Sequence, residues 1–142
     1  MTPEKLAEKV EMLKQVPLFS QMTPQQLEEI AKQAEVVNVR ASSMFAKYGM
    51  PGKQFGLILS GEVHAMKMGK VIREMGEGDF FGEISLIDGG PRTATDMTKT
   101  DVSLLVVNKE SFDRLLEAAP ELQRKMINVL CGYLRQFESS IS

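Results

Sequence analysis

The chain has 142 residues and a formal net charge of −2, with 43% hydrophobic and 25% charged residues. This length and balance predict one domain that can bury its own core. Lysine and arginine are spread along the chain, so direct binding of nucleic acid is not expected. No apolar run approaches the roughly 20 residues that a membrane span needs, and the single cysteine, Cys131, excludes an internal disulfide. We therefore expect a cytoplasmic protein without membrane insertion.

Helical patterns come first along the chain. Apolar residues at positions 6, 10 and 13 suit a short helix. A second helix begins at Thr23, which can cap it, and Gln26 completes a capping box. Pro24 suits the first turn. Its apolar face consists of Leu27, Ile30, Ala31 and Ala34. We assign N-terminal helices to residues 1–34.

The middle of the chain has a period of two. Apolar residues alternate with polar ones, for example at positions 55, 57 and 59 and at positions 102, 104 and 106, and glycines separate these runs. Short strands with closely spaced turns predict a mainly β fold, an antiparallel β-roll (jelly roll, or double-stranded β-helix) over residues 35–108. His64 lies in one such strand. Because it is the only histidine, we interpret it as structural and expect no metal site.

Helical period returns at residues 109–138, and Asn108 is a candidate cap. Pro120 opens a last helix with two adjacent rows of apolar residues, a stripe wider than one contact requires. Cys131 is expected to be buried there as a small hydrophobic residue. The spacing of Ile127, Leu130, Leu134, Phe137 and Ile141 alternates between three and four, as in a coiled-coil seam. This helix is therefore a candidate surface for a homodimer.

One segment carries the chemistry. It reads FGEISL at residues 81–86 and PRTA at residues 91–94. Gly82 has no Cβ, so a ligand can approach its backbone, and the next turn can point free N–H groups at an anion. Arg92 offers a planar, permanently charged fork to a phosphate. Glu83 is unfavourable beside a phosphate, but it suits a sugar hydroxyl.

These residues resemble the phosphate-binding cassette of cyclic nucleotide-binding domains, F-G-E-x-[AS]-L followed by P-R-[TSA]-A. The resemblance runs from about residue 16 to about residue 134, and it includes a strand-turn-strand at residues 57–63. It implies a sensor that binds a 3′,5′-cyclic nucleotide without changing it, with no catalytic residue and no cofactor. In such a sensor Arg92 pairs with the exocyclic phosphate oxygens, and Glu83 accepts from the ribose 2′-hydroxyl. The residues implied to bind the ligand are Gly82, Glu83, Ile84, Ser85, Arg92, Thr93 and Ala94, with Val71 against the base.

Two departures from the family lie outside the cassette. The turn at residues 49–53 has Met50 and Lys53 in place of the usual acids, and Gly56 stands where the family often has an aromatic residue. Thr93 is ambiguous for ligand identity, since cGMP-dependent kinases and bacterial cAMP sensors both carry threonine there. We favour cAMP over cGMP.

The resemblance also implies that the last helix covers the base as a lid and moves on binding. Leu130, Tyr133 and Leu134 are the candidates for that contact. The family couples this domain to an effector, and we expect the output to lie in an effector protein in trans, in self-association, or in a further part of a longer chain. The alternatives are an interaction module of the same fold that has lost ligand binding, and a small jelly-roll enzyme.

Overall fold

The computed structural model of the protein describes residues 5–141. Three helices come first: α1 (Leu6–Leu13), α2 (Pro17–Ser20) and α3 (Pro24–Gln33). Strands follow as β1 (Glu35–Val39), β2 (Met44–Ala46), β3 (Gln54–Ser60), β4 (Val63–Lys67), β5 (Lys70–Met75) and β6 (Phe80–Phe81). A short helix α4 (Glu83–Asp88) precedes β7 (Thr95–Thr98) and β8 (Val102–Asn108), and the described chain ends in α5 (Lys109–Ala118) and α6 (Pro120–Ile141).

Two antiparallel sheets of four strands form the predicted β-roll, in the orders β1-β8-β3-β6 and β2-β7-β4-β5. The β3–β8 pair is buried on both faces, which explains its almost continuous apolar sequence. Leu57 and Leu105 lie opposite each other on the face that meets the helices, and Ile58 and Leu104 pair on the inner face. Alternation therefore produces two cores, one under the helices and one inside the roll. The fold prediction is confirmed.

The helix-covered core is organised around aromatic rings. Phe19 of α2 contacts Phe55 of β3 edge-to-face, with ring centroids 5.0 Å apart, and lies 6.3 Å from Phe112 of α5. All three rings are fully buried. The sequence pattern did not predict α2, because four residues are too few to show a period. Its Pro17 occupies the first helical turn, where a missing N–H costs nothing.

The sequence predicts two helix caps, and one of them forms its side-chain hydrogen bonds in the structure. Both arms of the capping box form at α3: the Gln26 N–H donates to Thr23 Oγ1 at 3.2 Å, and the Thr23 N–H donates to Gln26 Oε1 at 3.0 Å. Asn108 is the N-cap residue of α5, but its side chain makes no capping bond. Its Oδ1 instead accepts from Gln54 Nε2 at 3.0 Å, which joins β8 to β3.

Helix α6 packs apolar side chains against the body of the protein mainly in its first half. Its buried residues are Leu122 and Met126, whereas Leu134 and Phe137 are each 62% exposed. The expectation of a buried Cys131 is wrong, because this residue lies on the solvent side of the helix. The helix continues to Ile141 rather than stopping at residue 138. Within residues 5–141, no helix is both long enough and apolar enough to cross a membrane.

Candidate functional site

The cassette begins where the chain passes from β6 into α4. Gly82 is the N-cap residue of α4 and has a left-handed backbone with φ of 80°. A side chain there would place its Cβ 2.5 Å from both Arg92 Nη1 and the carbonyl oxygen of Gln54. Glycine is therefore required twice, for the conformation and for the close approach of the Arg92 guanidinium.

Backbone pairing fixes the position of Arg92. Its N–H donates to the Met50 carbonyl at 2.8 Å, and its own carbonyl accepts from the Gly49 N–H at 2.8 Å. The Gly52 N–H donates to the Gly90 carbonyl at 3.0 Å. Because main-chain atoms make these bonds, the unusual side chain at Met50 does not disturb the pairing. The departure from the family at this turn therefore leaves the cassette in place.

The Arg92 side chain is held by the β-roll. Nη2 donates to the Gln54 carbonyl at 2.7 Å, and the guanidinium carbon lies 5.8 Å from the centre of the Phe81 ring. Phe81 covers Gly56 so closely that a Cβ on that glycine would lie 2.3 Å from the ring. Phe81 therefore leaves no room for a side chain at position 56. Burial lowers the pKa of Arg92 and Asp96 opposes that change, but a guanidinium keeps its charge at neutral pH.

Glu83 is tied to helices outside the roll. The residue is 8% exposed. Oε2 accepts from the Leu18 N–H of α2 at 3.3 Å, and Oε1 accepts from the Tyr133 hydroxyl of α6 at 2.5 Å. Burial raises the pKa of Glu83, while the bonds from Tyr133 and Leu18 lower it. Burial and this same carboxylate raise the pKa of Tyr133. Glu83 therefore joins the cassette to both flanking helical regions.

A cavity of about 580 Å³ opens beside these groups. Seven of the residues implied by the resemblance line it together: Gly82, Glu83, Ile84, Ser85, Arg92, Thr93 and Ala94. The first amides of α4 have no carbonyl four residues earlier to bond, so they remain available to an anion. A larger groove of about 990 Å³ is also lined by Arg92 but includes no residue of α4. The smaller cavity is the candidate site.

Val71 does not line this cavity and is 46% exposed. Ile72 and Arg73 of the same strand line it instead. The β4–β5 pairing shifts register between Ala65 and Met66, with Ala65 opposite Arg73 and Met66 opposite Val71. One extra residue in β5 changes which side chains of that strand point into the cavity.

The structure separates the three lid candidates. Tyr133 reaches the cassette through Glu83. Leu130 lines a different groove, of about 360 Å³, between α5 and α6, and Leu134 is mostly exposed. Among residues 5–141, Tyr133 is the α6 side chain with a hydrogen bond to the cassette.

Asp96 is a site residue that sequence reasoning missed. It lies on β7, is 5% exposed and lines the cavity. Burial raises its pKa to about 6, against the opposing charges of Arg92 and Arg73. Strand alternation places Asp96 on one face with the uncharged Ala94 and Thr98, a signal too short to establish burial.

Within residues 5–141, no three histidine, cysteine or acidic side chains lie close enough together to hold a metal ion. His64 Nε2 lies 3.1 Å from Glu62 Oε2 on the outer surface of β4.

Comparison with known proteins places this site in a family. The model of the cyclic nucleotide-binding domain matches residues 36–119. The chain is 38% identical over 122 residues to a cAMP-dependent protein kinase regulatory subunit from Schizosaccharomyces pombe, covering 85% of the chain and 30% of the relative. A regulatory subunit of the same description from Aspergillus fumigatus is 35% identical over 115 residues, covering 80% and 28%. A cyclic nucleotide-gated potassium channel from Mesorhizobium japonicum is 36% identical over 107 residues, covering 75% and 30%.

Two solved structures have the same fold as this chain. The N-terminal domain of a transcriptional regulator from Streptomyces coelicolor superposes with a TM-score of 0.77 at 26% identity, covering 92% of the chain and 94% of that domain. A cyclic nucleotide-binding-like protein from Brucella abortus gives 0.69 at 27% identity, covering 78% and 98%. The chain spans less than a third of the length of the curated relatives just described. The chain belongs to the cyclic nucleotide-binding domain family.

Proposed function

We propose that this domain binds a 3′,5′-cyclic nucleotide, cAMP in preference to cGMP, and converts occupancy into movement of α6. The observation that carries the proposal is the guanidinium of Arg92 packed against the glycine that begins α4, inside a cavity of about 580 Å³. A phosphate there would meet both the fixed cation and the free amides of α4. The preference for cAMP rests on the similarity to cAMP-dependent regulatory subunits.

Glu83 has the remaining capacity to accept a sugar hydroxyl. An ionised carboxylate offers about four lone-pair positions, and the described structure uses two of them, for Leu18 and Tyr133. A ribose 2′-hydroxyl donating to Glu83 would share this carboxylate with Tyr133. Such sharing gives the ligand different affinities for different positions of α6, which is the condition for shifting a conformational equilibrium.

Calorimetric titration of the wild-type chain with cAMP and with cGMP tests the binding function. We expect one saturable site, tighter for cAMP, and its loss in Arg92→Ala. A folded protein that binds neither nucleotide would favour the alternative, an interaction module of this fold without a ligand. Elemental analysis of the purified protein addresses the second alternative, a small jelly-roll enzyme, because stoichiometric metal would support it. We infer a non-catalytic regulator, since the curated relatives described above are regulatory subunits and a channel.

We propose that the output passes to an effector protein in trans and that α6 also forms a homodimer. Ile127 and Ile141 are 59% and 70% exposed and follow the coiled-coil spacing noted in the sequence. A second copy of this helix would cover that seam. Sedimentation equilibrium should detect a dimer in the wild type that Leu134→Asp dissociates, and a monomer at high micromolar concentration would contradict it. We place this sensor in the cytoplasm, where an exposed thiol such as Cys131 stays reduced.

A further inference from the structure

The candidate pocket contains a buried carboxylate that the proposed function does not use. Asp96 lies on β7 opposite Ala46 of β2 and Ala65 of β4. Alanine side chains are short and apolar, so they leave space around the carboxylate and offer it no hydrogen bond. Its environment differs from that of Glu83, which two donors hold.

Asp96 lines the cavity. Among the described residues, no donor forms a hydrogen bond to this side chain, and none of the fully sealed polar side-chain atoms lacks a partner. An unpartnered carboxylate in a residue that is 5% exposed must therefore have its access through the cavity that it lines. A ligand in this cavity would replace the water that solvates it.

Charges of both signs surround Asp96. Arg92 approaches from the cassette and Arg73 from β5, where it lies opposite Ala65, and both act on Asp96 electrostatically without a direct ion pair. On the acidic side, Glu83 and Asp88 line the same cavity. The strands β2 and β6 contribute no charged side chain to the cavity lining.

His64 is an ionisable residue of β4, the strand that pairs with the Asp96 strand β7. It precedes Ala65 on β4, so its side chain points to the opposite face of the sheet, where it contacts Glu62. It does not line the cavity.

A cyclic phosphate would change this balance. It carries a negative charge, and at Arg92 it would take up the cation that helps to keep Asp96 ionised. Two anions in a poorly solvated pocket repel each other strongly, because the local dielectric is low. Resting on the proposed function, we propose that Asp96 takes up a proton when a cyclic nucleotide binds, so that nucleotide affinity increases as the pH falls.

The sign of the effect follows from linkage. Burial raises the pKa of Asp96 to about 6, and a bound anion would raise that pKa further. Between these two values the bound state holds one more proton than the free state, so each unit of pH lost tightens binding by up to about tenfold. Below about pH 6 both states are protonated, and affinity should level off.

Calorimetry of the full chain tests the proposal with cAMP and cGMP as probes. Titrations near pH 7 in buffers of different ionisation enthalpy should give an observed enthalpy that changes with the buffer and corresponds to net proton uptake. The dissociation constant should rise about tenfold or less per unit between about pH 6 and about pH 8. This measurement needs no variant, so it stands even where a substitution impairs folding.

Asp96→Asn supplies the matched comparison, since asparagine resembles the protonated form in shape and charge. Its dissociation constant should be nearly independent of pH and lower than that of the wild type near pH 8. His64→Gln should retain the wild-type pH dependence. Binding without proton exchange, or an unchanged slope in Asp96→Asn, would overturn this inference and leave the proposed function intact. Absence of binding at every pH, in the wild type and in Asp96→Asn, would overturn both.

Discussion

Two charged side chains of one short segment are held by different parts of the protein. Arg92 is fixed by the β-roll, through the Gln54 carbonyl and the Phe81 ring. Glu83 is fixed by helices outside the roll, through Leu18 and Tyr133. Under the proposed function, the position of the phosphate contact is set by the β-roll, whereas the position of the sugar contact depends on where α2 and α6 lie. We therefore propose that Arg92 serves mainly recognition and Glu83 mainly transmission.

The largest expected effect comes from removing the roll-held cation. Arg92→Ala should weaken cAMP binding by on the order of 10²- to 10⁴-fold, since two charge-assisted hydrogen bonds contribute about 1.5–3 kcal/mol each. Arg92→Lys should also bind poorly, because an ammonium cannot reproduce the two-pronged geometry. Calorimetry measures both, with circular dichroism as the check on folding. Wild-type affinity in Arg92→Ala would show that the phosphate site lies elsewhere.

A second substitution, Gly82→Ala, should displace the Arg92 guanidinium without removing its charge. Gly82→Ala places a Cβ 2.5 Å from Arg92 Nη1 and forces a non-glycine residue into a left-handed conformation. We expect cAMP affinity to fall about 10- to 100-fold, because the added Cβ would displace the guanidinium from the proposed phosphate position, a loss of about 1.4–2.8 kcal/mol. Gly69→Ala is a matched control, because Gly69 also has a positive φ but nothing lies within 4 Å of its Cβ. Equal affinities of the two variants would contradict the role given to the Gly82–Arg92 contact.

The helix-held carboxylate should have a smaller effect on affinity. Glu83→Ala should weaken cAMP binding by about tenfold, the value of one hydrogen bond to a charged group, but scarcely alter binding of 2′-deoxy-cAMP. The substitution and the missing hydroxyl remove the same contact, so a double-mutant cycle should give strong coupling. Additive losses in that cycle would refute the ribose contact.

The smallest expected effect comes from Tyr133→Phe, which tests the link between Glu83 and α6. Tyr133→Phe removes one hydroxyl and its bond to Glu83, and it should destabilise the docking of α6 by about 0.5–1.5 kcal/mol. Hydrogen exchange without ligand should become faster in α6 and stay unchanged around Arg92. Tyr48→Phe is the control, since this other tyrosine is exposed and lies outside the cassette. Slower or unchanged exchange in α6 of Tyr133→Phe would mean that the hydroxyl does not hold the helix.

Sequence reasoning succeeded where the relevant residues are close together along the chain. The capping box at Thr23 and Gln26 spans one helical turn, and both of its hydrogen bonds form. The cassette residues lie between Gly82 and Ala94, close enough in sequence to be matched as a motif, and they line the same cavity. Alternation along β3 and β8 was sufficient to predict strands and a β-roll.

The sequence alone does not predict contacts between residues that lie far apart along the chain. Leu18 and Tyr133 lie 65 and 50 residues from Glu83, and no local pattern specifies either pairing. Arg73 lines the cavity in place of the expected Val71 because the β4–β5 pairing shifts register, and no feature of the sequence predicts that shift. Asp96 was missed because a single acid in a short strand is indistinguishable from a solvated one until the opposite strands are known.

Hydrogen exchange of residues 120–138, measured with and without saturating cAMP, tests the central claim most directly. If the pocket binds the nucleotide and Glu83 transmits occupancy, exchange should change in this part of α6 as well as around residues 82–94. The change in α6 should shrink in Tyr133→Phe while the change in the cassette persists. A response to cAMP confined to the cassette in the wild type would contradict the coupling between ligand and helix.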